Sequence, residues 1–434
     1  VRALVIAYEF PPSPSPQSLR WMYLTRELAE QGVDVHVLTV DPPPTSMLRS
    51  HVPAGVEVHR VFPGFVVGGV AWLAKRKRAS RKNVAESASS THVAATSAPA
   101  RLNWKGRLVE SIQRFAAHVC FPDLRGEWRP FASRRLHQLL DELRPDVVVS
   151  SHEPATTLQL GALAKARGFR WLADLGDPVL SFYTPERWRA KSLGLERRTC
   201  KEADLVTVTT AGARAVLIDR HRLMGDRVRV LTQGYDARPT EARNPVDFDP
   251  QRLELLFTGS LYSFRNPEAL LDGLLACDPS VRLNIATSRW PESLEQWLVR
   301  HPERLRLLGF LPHEEAVAAQ RAADVLVNIA NDDPIHLPGK IFEYLGARRP
   351  ILHLGDDPSD AGAAIVAERK CGWRCQQHAP SIASALSSLA ALKRQGRLDN
   401  EFNLQTDGLE RYSWQGIGRQ LHGFLADIGR GGPA

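Results

Sequence analysis

Two segments of the chain place an apolar strand, a loop of small residues and a helix start in the order that binds an anion. The first is Leu255-Leu256-Phe257-Thr258-Gly259-Ser260-Leu261-Tyr262-Ser263-Phe264-Arg265-Asn266-Pro267. Small residues let backbone N–H groups approach a phosphate, and the helix start favours negative charge. Arg265 can add a two-pronged contact. An ordinary strand-to-helix loop with a surface arginine would read the same way. The second segment runs from Asn331 to Leu345 and restarts as a short helix at Pro338-Gly339-Lys340, with Glu343 one turn in. Free N–H groups at Gly339 and Lys340 could hold a diphosphate, the Lys340 ammonium adding charge, while Glu343 could accept from two ribose hydroxyls. The plain alternative is a surface helix with Phe342 and Leu345 turned inward. Two further spots follow apolar strands: Ser151-His152-Glu153-Pro154, and the aspartates Asp174 and Asp177. Either aspartate could touch an acceptor or a sugar, or could cap a helix.

The elements that must carry these residues alternate strand and helix. Ala3–Ala7 reads as a buried strand, followed by a proline-rich loop, a helical face from Leu19 to Leu28 that stops at Gly32, and a β-branched strand at Val33–Val40. That unit implies a right-handed parallel crossover. No G-x-G-x-x-G occupies its first turn, so an ordinary dinucleotide fingerprint is absent. The rhythm resumes with strands at 146–150, 169–173, 203–208 and 228–231, and with a helix at 155–167. Residues 237–250 are polar with three prolines and read as a linker. A second series has strands at 253–257, 281–286, 305–308, 325–329 and 351–354, and a helix opened by Asn266-Pro267-Glu268. The expected domains are 1–240, with an insertion at about 65–105, then 251–410, and a C-terminal helix in 411–434. The fold class is α/β, with two doubly wound Rossmann-like domains facing across a cleft.

Charge is unevenly placed. The stretch from Val70 to Arg135 holds 14 Lys and Arg against 4 Asp and Glu, more than the whole chain's net +8. Its basic run at 75–82 and the small polar residues after it read as a mobile loop. Leu108, Ile112, Phe115 and Val119 then share one helical face, suited to an anionic membrane surface or to packing on the domain itself. The five cysteines are scattered, which fits a reducing compartment, and Cys371 and Cys375 lack a second ligand pair at zinc spacing. Asp247-Phe248-Asp249 falls in the linker and reads as a chance D-x-D, so no metal is expected. The run Ala3–Ala7 is too short for a secretory leader, and Phe65–Ala74 is too short to span a bilayer. The expected location is cytoplasmic, peripheral at the inner membrane face.

Together the two loops resemble the donor-binding half of the GT-B retaining glycosyltransferases of family 4. The segment HLPGKIFEYLGARRPIL is close to that family's P-x-K-x-x-E-Y-L loop and helix, and residues 5–40 are similar to its opening strand, loop and helix. The resemblance implies transfer of a sugar from a nucleotide-sugar, with UDP as the family's frequent nucleotide, to an acceptor hydroxyl with retention. It implies donor contacts at Gly259, Ser260, Arg265, Leu337, Gly339, Lys340 and Glu343, and catalytic roles for His152, Glu343 and Asp177. No cofactor beyond the donor is required. The acceptor side would lie in the N-terminal half, with the loop at 10–17 and Arg20. A lipid-linked saccharide in cell-surface polysaccharide or glycolipid assembly would suit the basic region at 70–135, which could also meet anionic lipid. No nucleic-acid module is visible.

Departures from the family pattern fall on sugar contacts. Ser15-Pro16-Gln17-Ser18 replaces a Gly-Gly pair, Ser260 and Arg265-Asn266 replace basic residues, Gly176 replaces an arginine, and Ile335 stands where the first of two glutamates is frequent. Two other readings share the architecture: a sugar-nucleotide epimerase, and a catalytically degenerate, membrane-associated partner subunit.

Overall fold

Apolar, β-branched runs too short for helices become strands buried on both faces, and the amphipathic runs between them become the covering helices. The computed structural model describes residues 1–13, 15–42, 51–65, 68, 121, 124–239, 241–261, 267–288, 290–331, 333, 335 and 337–430. The chain divides into two units. Unit 1 comprises Val1–Val208, Arg214–Leu231 and Gly418–Ala434, and unit 2 comprises Thr209–Ala213 and Thr232–Ile417.

The sheet of unit 1 contains β1 (Arg2–Ile6), β2 (Asp34–Val40), β3 (Val56–Val61), β4 (Val147–Ser151), β5 (Arg170–Gly176), β6 (Leu205–Val208) and β7 (Val228–Val230). Every pairing is parallel, in the order β3-β2-β1-β4-β5-β6-β7. Its helices are α1 (Pro16–Glu30), α2 (Arg129–Leu143), α3 (Thr156–Ala166), α4 (Glu186–Glu202) and α5 (Ala211–His221). Helix α1 starts ahead of the expected Leu19. The Ser15 hydroxyl accepts the Ser18 N–H at 3.1 Å, and Pro16 takes the first helical position, where its missing N–H costs nothing. The Ser-Pro-Gln-Ser departure is therefore a helix cap. Leu4, Ile6 and Leu38 pack under Leu136, Leu139 and Leu140 of α2.

Unit 2 repeats the plan with β8 (Leu253–Thr258), β9 (Val281–Ala286), β10 (Leu305–Gly309), β11 (Val325–Ile329), β12 (Ile351–Leu354) and β13 (Gly372–Cys375). The order is β10-β9-β8-β11-β12-β13, again parallel throughout. Its helices are α6 (Glu268–Ala276), α7 (Glu295–Arg300), α8 (His313–Ala322), α9 (Lys340–Ala347), α10 (Ala361–Arg369), α11 (Ala379–Arg394) and α12 (Leu398–Glu401); α13 (Trp414–Arg430) follows. Alternation along β8 splits the core. Leu255 and Phe257 join one apolar cluster with α6 and α11, while Leu256 joins another with Ile341, Phe342 and Tyr344 of α9. Helix α6 begins one residue later than expected, with Pro267 rather than Asn266 at its cap position.

Strands β3 and β13 are absent from the sequence-based expectation. β3 is an edge strand with half-exposed alternation, and β13 is four residues long. Gly372 opens β13 because a Cβ there would lie 1.9 Å from the Ile351 carbonyl oxygen, so only glycine lets the strands meet.

Cys371 and Cys375 belong to different apolar clusters on opposite sides of this sheet. Burial raises both thiols, Cys371 to about 11, and these two act as core residues. The expected insertion at 65–105 and amphipathic face at 108–119 lie outside the described residues, Phe65 and Gly68 apart. Among the described residues no helix is long and apolar enough to cross a membrane.

Candidate active site

In each sheet the strand order reverses once, between β1 and β4 in unit 1 and between β8 and β11 in unit 2. Ligands of doubly wound sheets bind at such reversals, outside the carboxyl ends of the strands. Gly259 follows β8 and Asn331 follows shortly after β11, so the two sequence segments flank one reversal point. His152 follows β4 at the other.

In unit 2 a hydrogen-bond chain ties the two segments together. The Lys340 Nζ donates to Glu343 Oε2 at 2.7 Å. Gln320 Nε2, fully buried on α8, donates to the same Glu343 oxygen at 3.2 Å and to Thr258 Oγ1 at 2.9 Å. The Thr258 N–H donates to the Tyr344 hydroxyl at 3.0 Å. The residue before Gly259 is thus fastened to both Glu343 and its neighbour. Gly259 has φ +138, which a side chain would strain, and nothing stands within 4 Å of the place a Cβ would take. The loop therefore turns with the Gly259 α-carbon open to an approaching group, while its N–H is held by the Ala286 carbonyl at 3.0 Å.

Helix α9 begins at Lys340 with Gly339 at its cap, and no side chain caps it. Its first hydrogen bonds, Ile341 N–H to Pro338 and Phe342 N–H to Gly339, leave the N–H groups of Gly339 and Lys340 unpaired among the described residues. An unfilled N-terminus beside an ammonium is an anion site in chemical character. Burial pushes the Glu343 carboxyl up, but the Lys340 ammonium, His313 and the bonds from Lys340 and Gln320 outweigh it and hold Glu343 below 4.5. Burial holds His313, at the start of α8, below the ordinary imidazole value.

The expected donor residues Gly259, Ser260, Gly339, Lys340 and Glu343 are all partly exposed around this chain of bonds. Leu337 packs its side chain on the apolar cluster of α9, which leaves its backbone for any ligand contact. Arg265 lies outside the described residues. Sequence reading missed Gln320, His313 and Tyr344. Gln320 had a signal: it shares the buried stripe Ala316, Ala319, Gln320, Ala323, where an amide among alanines must serve a partner.

In unit 1 the His152 ring is nearly buried and its Nδ1 lies 3.0 Å from the Leu175 carbonyl. That acceptor sets the tautomer with the proton on Nδ1 and leaves Nε2 as a lone-pair nitrogen. Gln17 Nε2 donates to the His152 carbonyl at 2.8 Å, so the start of α1 braces the same turn. Asp177 sits half-buried after Gly176, with its N–H on Leu175 O at 2.8 Å. Asp174 and Arg20 require a correction. Both side chains are at most 1% exposed, and Arg20 Nε and Nη2 lie 3.1 and 3.2 Å from the Asp174 carboxylate. Thr207 Oγ1 donates to Asp174 at 2.8 Å and Arg20 Nη2 donates to Leu231 O at 3.0 Å. Neither residue can meet an acceptor: alternation along β5 and α1 turns both inward, where each charge needs the other.

Solved structures share this architecture over nearly the full length. Sucrose-phosphate synthase from Thermosynechococcus elongatus superposes with a TM-score of 0.67 at 14% identity, covering 98% of each chain. HepE from Anabaena, solved in complex with UDP, superposes with a TM-score of 0.63 at 14% identity, covering 98% of this chain and 100% of that one. The chain has the GT-B fold. A family model, Glycosyltransferase Family 4, matches residues 90–238 of this GT-B chain. A D-inositol 3-phosphate glycosyltransferase from Corynebacterium efficiens is 25% identical over 264 residues, which is 53% of this chain and 59% of that protein. The chain thus spans little more than half the length of that relative. The resemblance to family 4 read from the sequence is borne out by these likenesses.

Proposed function

We propose that this GT-B protein is a glycosyltransferase that moves a sugar from a nucleotide-sugar, a UDP-sugar, to an acceptor hydroxyl with retention. The observation that carries the reading is the bond chain Lys340–Glu343–Gln320–Thr258, which gathers an open glycine turn and an uncapped helix start around one cation. A nucleoside diphosphate has the matching charge. Its phosphates would take the N–H groups of Gly339 and Lys340 and the Lys340 ammonium, with Gly259 and Ser260 lining the turn beside them, and Arg265 would add a second cation. Glu343 would accept from the ribose hydroxyls. HepE in complex with UDP and the E. coli trehalose-6-phosphate protein bound with UDP-2-fluoro glucose, both of this fold, support UDP as the nucleotide.

The donor's glycosidic C–O bond breaks as negative charge gathers on the leaving diphosphate, which these donors stabilise. The acceptor oxygen bonds to the anomeric carbon on the same face, and its proton passes to the leaving phosphate oxygen. His152 is proposed to steady the transferring sugar and its developing positive charge, with Asp177 on the acceptor side. The setting we favour is assembly of a cell-surface polysaccharide or glycolipid at the inner membrane face.

Titration calorimetry with a panel of nucleoside diphosphates tests the reading, using the whole chain and Lys340→Ala. Saturable UDP binding that weakens in the variant supports it. Selective binding of another nucleotide changes the donor, and no binding across the panel overturns the donor site. Release of UDP from UDP-sugars only when an acceptor is added separates transfer from epimerisation.

A further inference from the structure

At the edge of the unit 1 sheet, away from the residues discussed so far, four side chains on β2 and β3 form a polar cluster. The register pairs His36 with Glu57, and His59 follows Glu57 on the same face of β3. His36 Nδ1 lies 3.3 Å from His59 Nε2, and the rings stack with centroids 5.5 Å apart. The Glu57 carboxylate stands 3.5 Å from His36 Nδ1 and 3.6 Å from His59 Nε2. One ligand atom from each of the three residues falls within 4.8 Å of the others.

We infer that His36, His59 and Glu57 form a binding site for a divalent transition metal, of which Zn²⁺ is the type. Geometry supports this in three steps. Ligands at about 2.05 Å from a tetrahedral ion stand about 3.3 Å apart; the two ring nitrogens are 3.3 Å apart, and the Glu57 carboxylate offers Oε2 at 3.5 Å from His36 Nδ1 and Oε1 at 3.6 Å from His59 Nε2. The second nitrogen of His36, Nε2, faces Asp34 Oδ1 at 3.2 Å. A proton on Nε2 gives Asp34 its hydrogen bond and turns the Nδ1 lone pair toward the other ligands, the carboxylate–histidine arrangement that orients metal-binding imidazoles. Asp34 is itself held by Arg2 Nε at 2.5 Å. Finally, without an ion one proton between His36 Nδ1 and His59 Nε2 makes a hydrogen bond, and a metal would take that proton's place between the two rings.

The surroundings suit three protein ligands with one side open to solvent. The His36 and His59 side chains are 7% and 10% exposed, and Glu57 is 65% exposed and forms the open side. Arg135 and Glu142 of α2 face the cluster, and they pair with each other at 3.2 Å, so the arginine's repulsion of an ion is offset. The strand so held, β3, pairs with a single neighbour in the sheet. Binding ligands from β2 and β3 to one ion would fasten that edge.

The test uses the whole chain after chelation and dialysis, titrated with Zn²⁺ and, for its visible spectrum, Co²⁺. One equivalent is expected to bind, with a nitrogen- and oxygen-ligand spectrum lacking thiolate bands and with a rise of a few degrees in melting temperature. Asp34→Asn should weaken binding about 10- to 100-fold, and His59→Gln and Glu57→Gln further. Glu57→Gln alters an exposed side chain, so the variant folds and its lost metal binding is read on an intact protein. No binding by the wild type, binding unchanged in His59→Gln and Glu57→Gln, or a thiolate spectrum would each overturn the site.

Discussion

The ammonium of Lys340 lies 2.7 Å from the carboxylate of Glu343, one helical turn away at the open start of α9. The two side chains are 31% and 16% exposed, so the pair meets solvent on one side and Gln320 on the other. In the proposed donor complex an incoming diphosphate would compete for the same ammonium, and Glu343 would keep Gln320 as a partner.

Lys340→Ala should weaken UDP binding about 10- to 100-fold, the worth of one charge-assisted contact. Calorimetry measures it, and an unchanged affinity would sink the phosphate assignment.

The same pair makes a pH prediction. Glu343 is held below 4.5 in the folded chain, so its stabilising effect is complete above that pH and is lost as pH falls through the folded value. The melting-temperature gap between wild type and Glu343→Gln should be full at pH 7 and shrink below pH 4.5. In Lys340→Ala the upward push of burial loses its chief opponent, and the Glu343 carboxyl resonance should titrate at higher pH. A pH-independent gap would refute the linkage.

Asp174→Ala should destabilise the protein by about 3–5 kcal/mol, because it strands the buried Arg20 guanidinium. In a melt this is a drop on the order of 10 °C. UDP affinity should hold at temperatures where the variant is folded. A melt that matches wild type would show that the pair adds nothing.

His152→Ala should leave UDP affinity within about twofold and lower kcat for sugar transfer about 10²- to 10³-fold, the loss seen when a group acting on transition-state charge is removed. Initial rates with a competent UDP-sugar and acceptor read this. A purely structural role would instead lower the melting temperature and leave kcat per folded molecule unchanged.

Much of the plan was legible in the residues. Strand runs such as Val147-Val148-Val149 and Leu253-Glu254-Leu255-Leu256-Phe257 can satisfy their backbone only by pairing, and their spacing by helical runs allows parallel crossovers alone. Pro338-Gly339-Lys340 declares a helix start, and Thr258-Gly259-Ser260 a tight turn, from local chemistry alone. Strand β3 was also readable, since Val56, Val58 and Val61 punctuate a polar alternation, but edge exposure blurred its apolar signal.

The rest depended on contacts far apart in the chain. The sequence by itself determined the alternating elements, the glycine turn and the lysine-bearing helix start, because each follows from neighbours within a few residues. Tertiary structure alone decided that Arg20 meets Asp174 across 154 positions, that Gln320 joins Thr258 to Glu343, and that His36 and His59 face each other. Strand order and register set which side chains share a face, and in a parallel sheet those are fixed by the packing of the whole unit.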